Sequence, residues 1–340
     1  MLPALSHVRT QARDRLPAVV WDWIEATAGA DAHDAAKAWD GFRIRPRILR
    51  DVSTIELAVE LLGRRSPLPI LVAPTGYQTF VHPDGELAVA RAACQFGSPL
   101  IVSMRSTTRF ERIAEVADEW WLQVYAMRDP ALTDHLVRRA VQCGARALVF
   151  TADTPYLGAQ RSAGALLNIG DAHRVNIDDY VDIGAGATQQ DPTCTFDVIG
   201  RLRALSGLPV LVKGVLRGDD ARACLASGAA GVIVSNHGLR QLSRVISTAA
   251  ALPEVVAAVG TDGEVYVDGG IRDGTSALIG LALGARAVLV GRPVLWGLAA
   301  DGAAGVTAVL AALRADLAEA MGLAGMRRVV DLAPDLITTA

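Results

Sequence analysis

The stretch VSNHGLRQL, residues 234–242, ends a strongly apolar run with Ser235, Asn236, His237, Gly238 and then Arg240. An imidazole followed three residues later by a guanidinium offers a base that works near neutral pH beside a permanent cation. The pair suits proton removal from a molecule whose carboxylate the guanidinium grips with its planar fork. Asp153, in the segment TADTP, is available to hold the second imidazole nitrogen and stabilise the imidazolium. Two glycine-rich stretches, DGGIRDGT (268–275) and GRPV (291–294), bring Arg272 and Arg292 next to backbone that can approach an anion closely.

These residues need elements to position them. Short runs rich in β-branched residues alternate with Ala-rich helical patterns from about residue 69 onward: 69–73, 99–103, 121–125, 147–151, 209–213, 231–235, 264–268 and 287–291. The intervening segments, such as GELAVARAACQFG, LTDHLVRRAVQCG and TSALIGLALGA, stop at Gly or Gly-Ala as helices do. Continuous apolar strands, each followed by a helix, predict a parallel sheet covered on both sides. Eight such units predict an α/β fold of the closed (β/α)8 TIM barrel type, with a doubly wound open sheet as the competitor. Residues 1–340 read as a single domain, in which 1–68 form an N-terminal helical and irregular extension and 69–340 the barrel. After the fourth strand no strong strand occurs between Thr151 and Pro209, which predicts a long loop.

In such a barrel the chemistry sits at the C-terminal strand ends. Reading only those positions collects Ser103, Gln123, Tyr125, Thr151, Asp153, Lys213, Ser235, His237, Asp268 and Arg292. Each alone is an ordinary loop residue; the set is not. The loops after strands seven and eight are the usual phosphate site of these barrels, and the helix beginning near Thr275 directs its positive end there. Lys213 ends an apolar strand, where a cation is costly unless it meets something electron-rich. A flavin's pyrimidine edge is such a partner, with Gln123, Thr151 and Ser235 hydrogen-bonding ring atoms. A lysine snorkelling at the barrel rim and a Schiff-base lysine remain open alternatives for Lys213 alone.

Composition narrows the partners. With 33 Lys and Arg against 36 Asp and Glu, a formal charge of −3 and no basic cluster, nucleic acid is not expected as a partner. Cys94, Cys143, Cys194 and Cys224 include no CxxC pair, which fits neither a zinc site nor a disulfide framework and predicts a reducing, cytoplasmic setting. The N-terminus lacks the apolar core of a signal peptide, and the best membrane candidate, LIGLALGARAVLVG, is interrupted by Arg286, so no membrane association is expected.

The sequence resembles the FMN-dependent α-hydroxy acid oxidase and dehydrogenase family along nearly its whole length. The resemblance runs through RPRILRDVS, APTGYQ, HPDGELAVARAA, LQVY, TADTPYLG, LVKGV, VSNHGLRQL, VDGGIRDGT and VGRPVLWGLA. It implies FMN as cofactor and oxidation of an (S)-2-hydroxy acid, aromatic in the mandelate-like members, to the 2-oxo acid. His237 would be the base, Asp153 its partner, Tyr125 the contact to the substrate hydroxyl and Arg240 the carboxylate clamp. Pro74, Thr75 and Gly76 would pass behind the flavin near N5; Ser103, Gln123, Thr151, Lys213 and Ser235 would line its polar edge. Asp268 would bind the ribityl chain, and Gly270, Arg272, Gly291 and Arg292 the phosphate. The resemblance also implies a homo-oligomer, a tetramer by analogy, and leaves the electron acceptor open among oxygen (the expected one), a quinone and a protein.

Departures from the family pattern bear on the substrate. Trp23 stands in WDW where relatives place a carboxylate-binding tyrosine, and Gln160 stands where they carry a second arginine, with Arg161 one step along. Leu239 occupies a position that is usually small, and the long loop is shorter than in many relatives. A lost charged hydrogen bond to a carboxylate costs about 2–3 kcal/mol of binding. The alternative expectation is therefore a flavin-binding member that acts on a masked hydroxy acid (ester, amide or carrier conjugate) or lacks turnover. A nicotinamide-dependent Rossmann reading rests only on GAGATQ (184–189), which lacks the third glycine.

Overall fold

The computed structural model describes residues 2–29, 34–156, 175–178, 180 and 186–339. The chain opens with helices α1 (Pro3–Arg15) and α2 (Ala18–Glu25) and a short α3 (Asp34–Lys37), followed by strand β1 (Phe42–Ile44). A hairpin of β2 (Val59–Leu61) and β3 (Arg64–Ser66) comes next. Its turn places Leu62 at φ 48° and Gly63 at φ 76°, the left-handed pair that a two-residue hairpin turn requires.

Eight parallel strands then close on themselves: β4 (Ile70–Val72), β5 (Leu100–Ser103), β6 (Trp120–Val124), β7 (Leu148–Thr151), β8 (Val210–Val215), β9 (Gly231–Val234), β10 (Glu264–Val267) and β11 (Ala287–Val290). β11 pairs with β4 through Val288–Ile70, which completes the cylinder. The strands are buried along almost their whole length, as parallel strands sheathed by helices must be. Every one of the eight expected runs forms a barrel strand. Most of the helices between them end at positive-φ glycines, including Gly97 at φ 62° and Gly207 at φ 68°.

The extension is more than helical and irregular. β1 pairs antiparallel with a C-terminal strand β12 (Ile337–Thr339), clasping the two chain ends together. The β2–β3 hairpin lies across the N-terminal strand ends: Leu62 N donates to Glu264 Oε1 (3.0 Å) and Arg64 pairs with Glu119 (2.9 Å). Strands three residues long carry too little alternation to be visible as a pattern. Leu5, Ile24 and Trp39 of the extension join the same apolar cluster as the barrel strands.

The membrane expectation named the wrong segment. The helix long and apolar enough to cross a membrane, by length and composition alone, is Arg292–Leu323 rather than LIGLALGARAVLVG. It breaks at Asp301 and Gly302, and 67% of its most apolar window is buried within the protein, where Leu298, Val306, Leu310 and Leu313 join the core. Its hydropathy is that of a core helix. All four cysteines are free thiols.

Candidate active site

Strand register sets the first shared feature of the mouth. Ser103 lies opposite Gln123, and Thr151 opposite Lys213. The Ser103 hydroxyl donates to Gln123 Oε1 (3.0 Å) and Gln123 Nε2 donates to Thr151 Oγ1 (3.0 Å), so a buried polar seam crosses three strand ends. Lys213 continues it: Nζ donates to Ser235 Oγ (2.7 Å) and pairs with Asp268 (3.2 Å). Burial opposes the lysine's charge, but Asp268 and Asp153 overcome it and raise its pKa. A 4% exposed lysine is not snorkelling, and its raised pKa works against the neutral amine that a Schiff base requires. The opposite oxygen of that pair, Asp268 Oδ1, is buried without a hydrogen-bond partner among the described residues.

The second feature is the corner after β9. His237, Gly238 and Leu239 take φ values of 56°, 64° and 63°, three successive left-handed residues of which two are not glycine. Such backbone is costly for branched side chains and concentrates at functional sites. Here it turns the imidazole back over the barrel, where Nδ1 meets Asp153 Oδ1 at 3.0 Å. Burial pushes Asp153 up, but the charge and hydrogen bond of His237, together with Lys213, outweigh it and hold the carboxyl at about 2. An ionised acceptor at Oδ1 fixes the tautomer with the proton on Nδ1 and the basic lone pair on Nε2.

Gly214 makes room for this pair. It sits at φ 105°, and a Cβ there would lie 2.6 Å from the Cβ of Asp153. Gly214→Ala is therefore expected to displace Asp153 and lower the unfolding free energy by about 1–3 kcal/mol. Urea denaturation measures this, and an unchanged midpoint would show that the β8 end relaxes without cost.

The third feature surrounds the end of α2. Arg240 Nη1 donates to the carbonyls of Trp23 (2.8 Å), Ile24 (3.1 Å) and Ala26 (3.2 Å), with its guanidinium 5.7 Å from the Trp23 ring centre. Arg292 reaches the same helix end, through Nε to Ile24 O (3.1 Å) and Nη2 to Ala26 O (3.3 Å), and also bonds Gly238 O (2.9 Å). Cations satisfy the orphan carbonyls and the negative pole of that helix. Arg272 lies behind them, buried against Trp296. Burial first, then the like charge of Arg292, drives Arg272 down to about 9, against the pull of Glu25. Glu25 itself is taken by Arg9 (2.9 Å) and Trp296 Nε1 (2.9 Å).

The helix expected to start near Thr275 begins at Gly274, and its dipole is already answered. Asp273 caps Ser276 N at 2.8 Å and Asp316 accepts from Gly274 N. Anion binding at this end therefore falls to the two guanidiniums. Gly270 is pressed against α3, where a Cβ would meet Ala35 O, and Gly291 precedes the helix that begins at Arg292.

Pro74, Thr75 and Gly76 follow β4. Gln78 Nε2 pins Thr75 through its carbonyl (3.1 Å) and hydroxyl (2.9 Å). The buried Glu86 carboxylate clamps both neighbouring turns, accepting from Gln78 N, Thr107 N and the Thr107 and Thr108 hydroxyls. Tyr125 is buried at the end of β6. Gln160 and Arg161 lie outside the described residues.

Glu86 and Tyr77, also at the mouth, lie away from the strand ends and carry no signal of the kind the strand-end reading used, whereas Arg105 does. Arg105 stands two places past Ser103, the same offset that separates Asp153 from Thr151, so the rule that found Asp153 applies to it as well.

The arrangement fits a flavin mononucleotide. A cationic lysine and an amide–hydroxyl seam suit the polar edge of the ring, Asp268 Oδ1, without a partner among the described residues, suits a hydroxylated chain, and a buried arginine repelled by a half-buried one suits a phosphate. Comparison with known proteins gives the same direction. A family model described as FMN-dependent dehydrogenase matches residues 12–339. 4-Hydroxymandelate oxidase of Amycolatopsis orientalis is 39% identical over 340 residues, spanning 96% of this chain and 95% of that protein. L-lactate oxidase of Nostoc sp. is 39% identical over 343 residues, spanning 94% of each. A crystal structure of mandelate oxidase superposes with a TM-score of 0.90 at 39% identity, covering 100% of this chain and 99% of that one.

Proposed function

The chain belongs to the FMN-dependent dehydrogenase family, and from that premise we propose that it oxidises a free (S)-2-hydroxy acid to the 2-oxo acid with His237 as the base. It is an FMN-dependent oxidoreductase acting on the CH–OH group of a 2-hydroxy acid. The observation that carries the residue assignment is the His237–Asp153 contact of 3.0 Å, with Asp153 held at about 2. A carboxylate that stays ionised throughout the physiological range keeps Nε2 basic and stabilises the imidazolium once the proton has moved.

FMN, when bound, supplies the two-electron acceptor. The protein's own residues do the rest. His237 takes a proton from the substrate's carbinol group, and Asp153 compensates the positive charge. Arg240 grips the carboxylate; its threefold anchorage to the α2 carbonyls fixes the fork before substrate arrives. Tyr125 contacts the substrate hydroxyl. Lys213, Ser235, Gln123, Thr151 and Ser103 hold the flavin's polar edge, Asp268 its ribityl chain, and Arg272 and Arg292 its phosphate. Gln160 and Arg161 are candidates for a second carboxylate contact, and Trp23 supplies an aromatic face in place of a phenol.

The oxidase names of the relatives favour oxygen as the final electron acceptor. The free thiols favour a reducing cytoplasmic setting. Exposed Ile48, Leu49 and Val330 favour a homo-oligomer, a tetramer by analogy. The test is a visible spectrum of the purified protein followed by anaerobic addition of (S)-lactate, (S)-mandelate and longer (S)-2-hydroxy acids. A yellow protein that bleaches with at least one acid is expected. A yellow protein that bleaches with none is a flavin-binding member without turnover on free hydroxy acids, and the proposal falls.

A further inference from the structure

Arg105 is a further cation at the barrel mouth, and its setting is built rather than incidental. Its backbone is fixed on both sides. Arg105 N donates to Ser103 Oγ (3.1 Å), and its carbonyl accepts from Tyr77 N (3.2 Å). A Cβ on Gly76 would come within 3.1 Å of both its Cβ and its carbonyl oxygen. The guanidinium is half-buried. Nη1 donates to the Tyr77 hydroxyl (3.2 Å), Nη2 to Thr188 O (3.2 Å), and Cζ stands 5.7 Å from the centre of the Tyr125 ring.

Its partners are all neutral: a phenol, a carbonyl and an aromatic face. Among the described residues Arg105 forms no ion pair with a carboxylate. Arg240 is linked to it through aromatic side chains. Tyr77 meets Trp23 edge-on at 6.4 Å, and the Trp23 ring lies against the Arg240 guanidinium. Tyr77 and Trp23 therefore form an aromatic wall between two guanidiniums, with the Tyr125 ring against Arg105. A planar fork held by neutral acceptors and a ring face is poised to receive a carboxylate.

We propose that the substrate is a 2-hydroxy dicarboxylate, with Arg240 on the carboxylate beside the reacting carbon and Arg105 on the distal one. The proposal rests on the reading of this site as a 2-hydroxy acid oxidase and adds the second anionic group. The connecting chain runs along the Tyr77 and Tyr125 side chains. Trp23 serves as wall rather than as hydrogen-bond donor, which accounts for an indole where a phenol is usual.

The test uses the FMN-loaded protein and two separate readouts. Binding of the products is measured by calorimetry with oxaloacetate, 2-oxoglutarate and 2-oxoadipate, each against the monocarboxylate of the same chain length. Reduction is measured as anaerobic bleaching by the corresponding (S)-2-hydroxy acids. At least one dicarboxylate is expected to bind ten- to a hundredfold more tightly than its match. Arg105→Gln is expected to erase that preference and Arg105→Lys to restore part of it.

Equal binding of every matched pair overturns the proposal. So does a preference that survives Arg105→Gln, which leaves the residue as a tether for Thr188. Bleaching by monocarboxylates with no such preference sinks the distal subsite and leaves the oxidase reading standing. An Arg105-dependent preference without bleaching by any acid upholds the subsite and sinks the oxidase reading.

Discussion

His237→Asn is expected to bind FMN and yet to be reduced by hydroxy acids about a thousandfold more slowly than the wild-type protein, within the range of a lost general base. Asparagine is the replacement of choice because the residue sits at φ 56°, a conformation that asparagine adopts more readily than most. Its amide can still donate toward Asp153, and the main-chain bond from residue 237 N to Ser235 Oγ (3.1 Å) does not depend on the side chain, so the corner should survive. What disappears is the basic nitrogen. Stopped-flow bleaching measures the rate, and normal reduction would refute the base assignment.

The same variant has an acid signature. In the wild type the folded pKa of Asp153, at about 2, lies below its ordinary value of 3.8. Its carboxylate therefore contributes stability that is present above about pH 4 and is lost as the pH falls through about 2. The histidine charge is the leading influence that lowers this carboxyl against its burial. Without it the loss moves to higher pH, and the acid-unfolding midpoint of His237→Asn should rise accordingly.

Much of this architecture is legible in the chain because parallel barrel strands are buried on both faces. PLIVS, ALVFT and GVIVS read as uninterrupted apolar runs, and the polar residues at and just past their ends mark the mouth. That rule reached Ser103, Thr151, Asp153, Lys213 and His237, and the structure brings them together through register and side-chain contacts. Other features leave no such trace. The contact between Arg240 and the Trp23 carbonyl spans 217 residues and involves a main-chain oxygen, to which side-chain identity is nearly indifferent. The left-handed run at 237–239 contains one glycine where three positions need positive φ. The hairpin at 59–66 and the β1–β12 pair are too short for periodicity. Gly214 looks like any strand-end glycine until the Asp153 side chain is seen occupying the space of its missing Cβ.

The phosphate end gives the second large effect, and its logic is electrostatic conflict. Arg272 is buried, donates to its neighbour's carbonyl at Ile271, and stacks on Trp296. Burial and then Arg292 drive its pKa to about 9, so it remains cationic at neutral pH while its charge costs stability. Burial depresses Arg292 as well, against the pull of Glu25 and Asp268. Glu25 cannot neutralise both, because Arg9 and Trp296 already share it.

A dianion between the two arginines would relieve the repulsion. Arg292→Gln is accordingly expected to weaken FMN binding by about a hundred- to a thousandfold, the scale of removing one partner from a buried charge pair. Arg272→Met should move two measurements in opposite directions. FMN affinity, followed by quenching of flavin fluorescence, falls, whereas the melting temperature of the apoprotein holds or rises because the like-charge contact is gone. Inorganic phosphate should raise the apoprotein's melting temperature in the wild type by binding the folded state, and should do so far less in either variant. An Arg272→Met protein that melts lower without FMN and binds FMN as tightly as before would mean that the arginine is packing for Trp296 and plays no part in holding the cofactor.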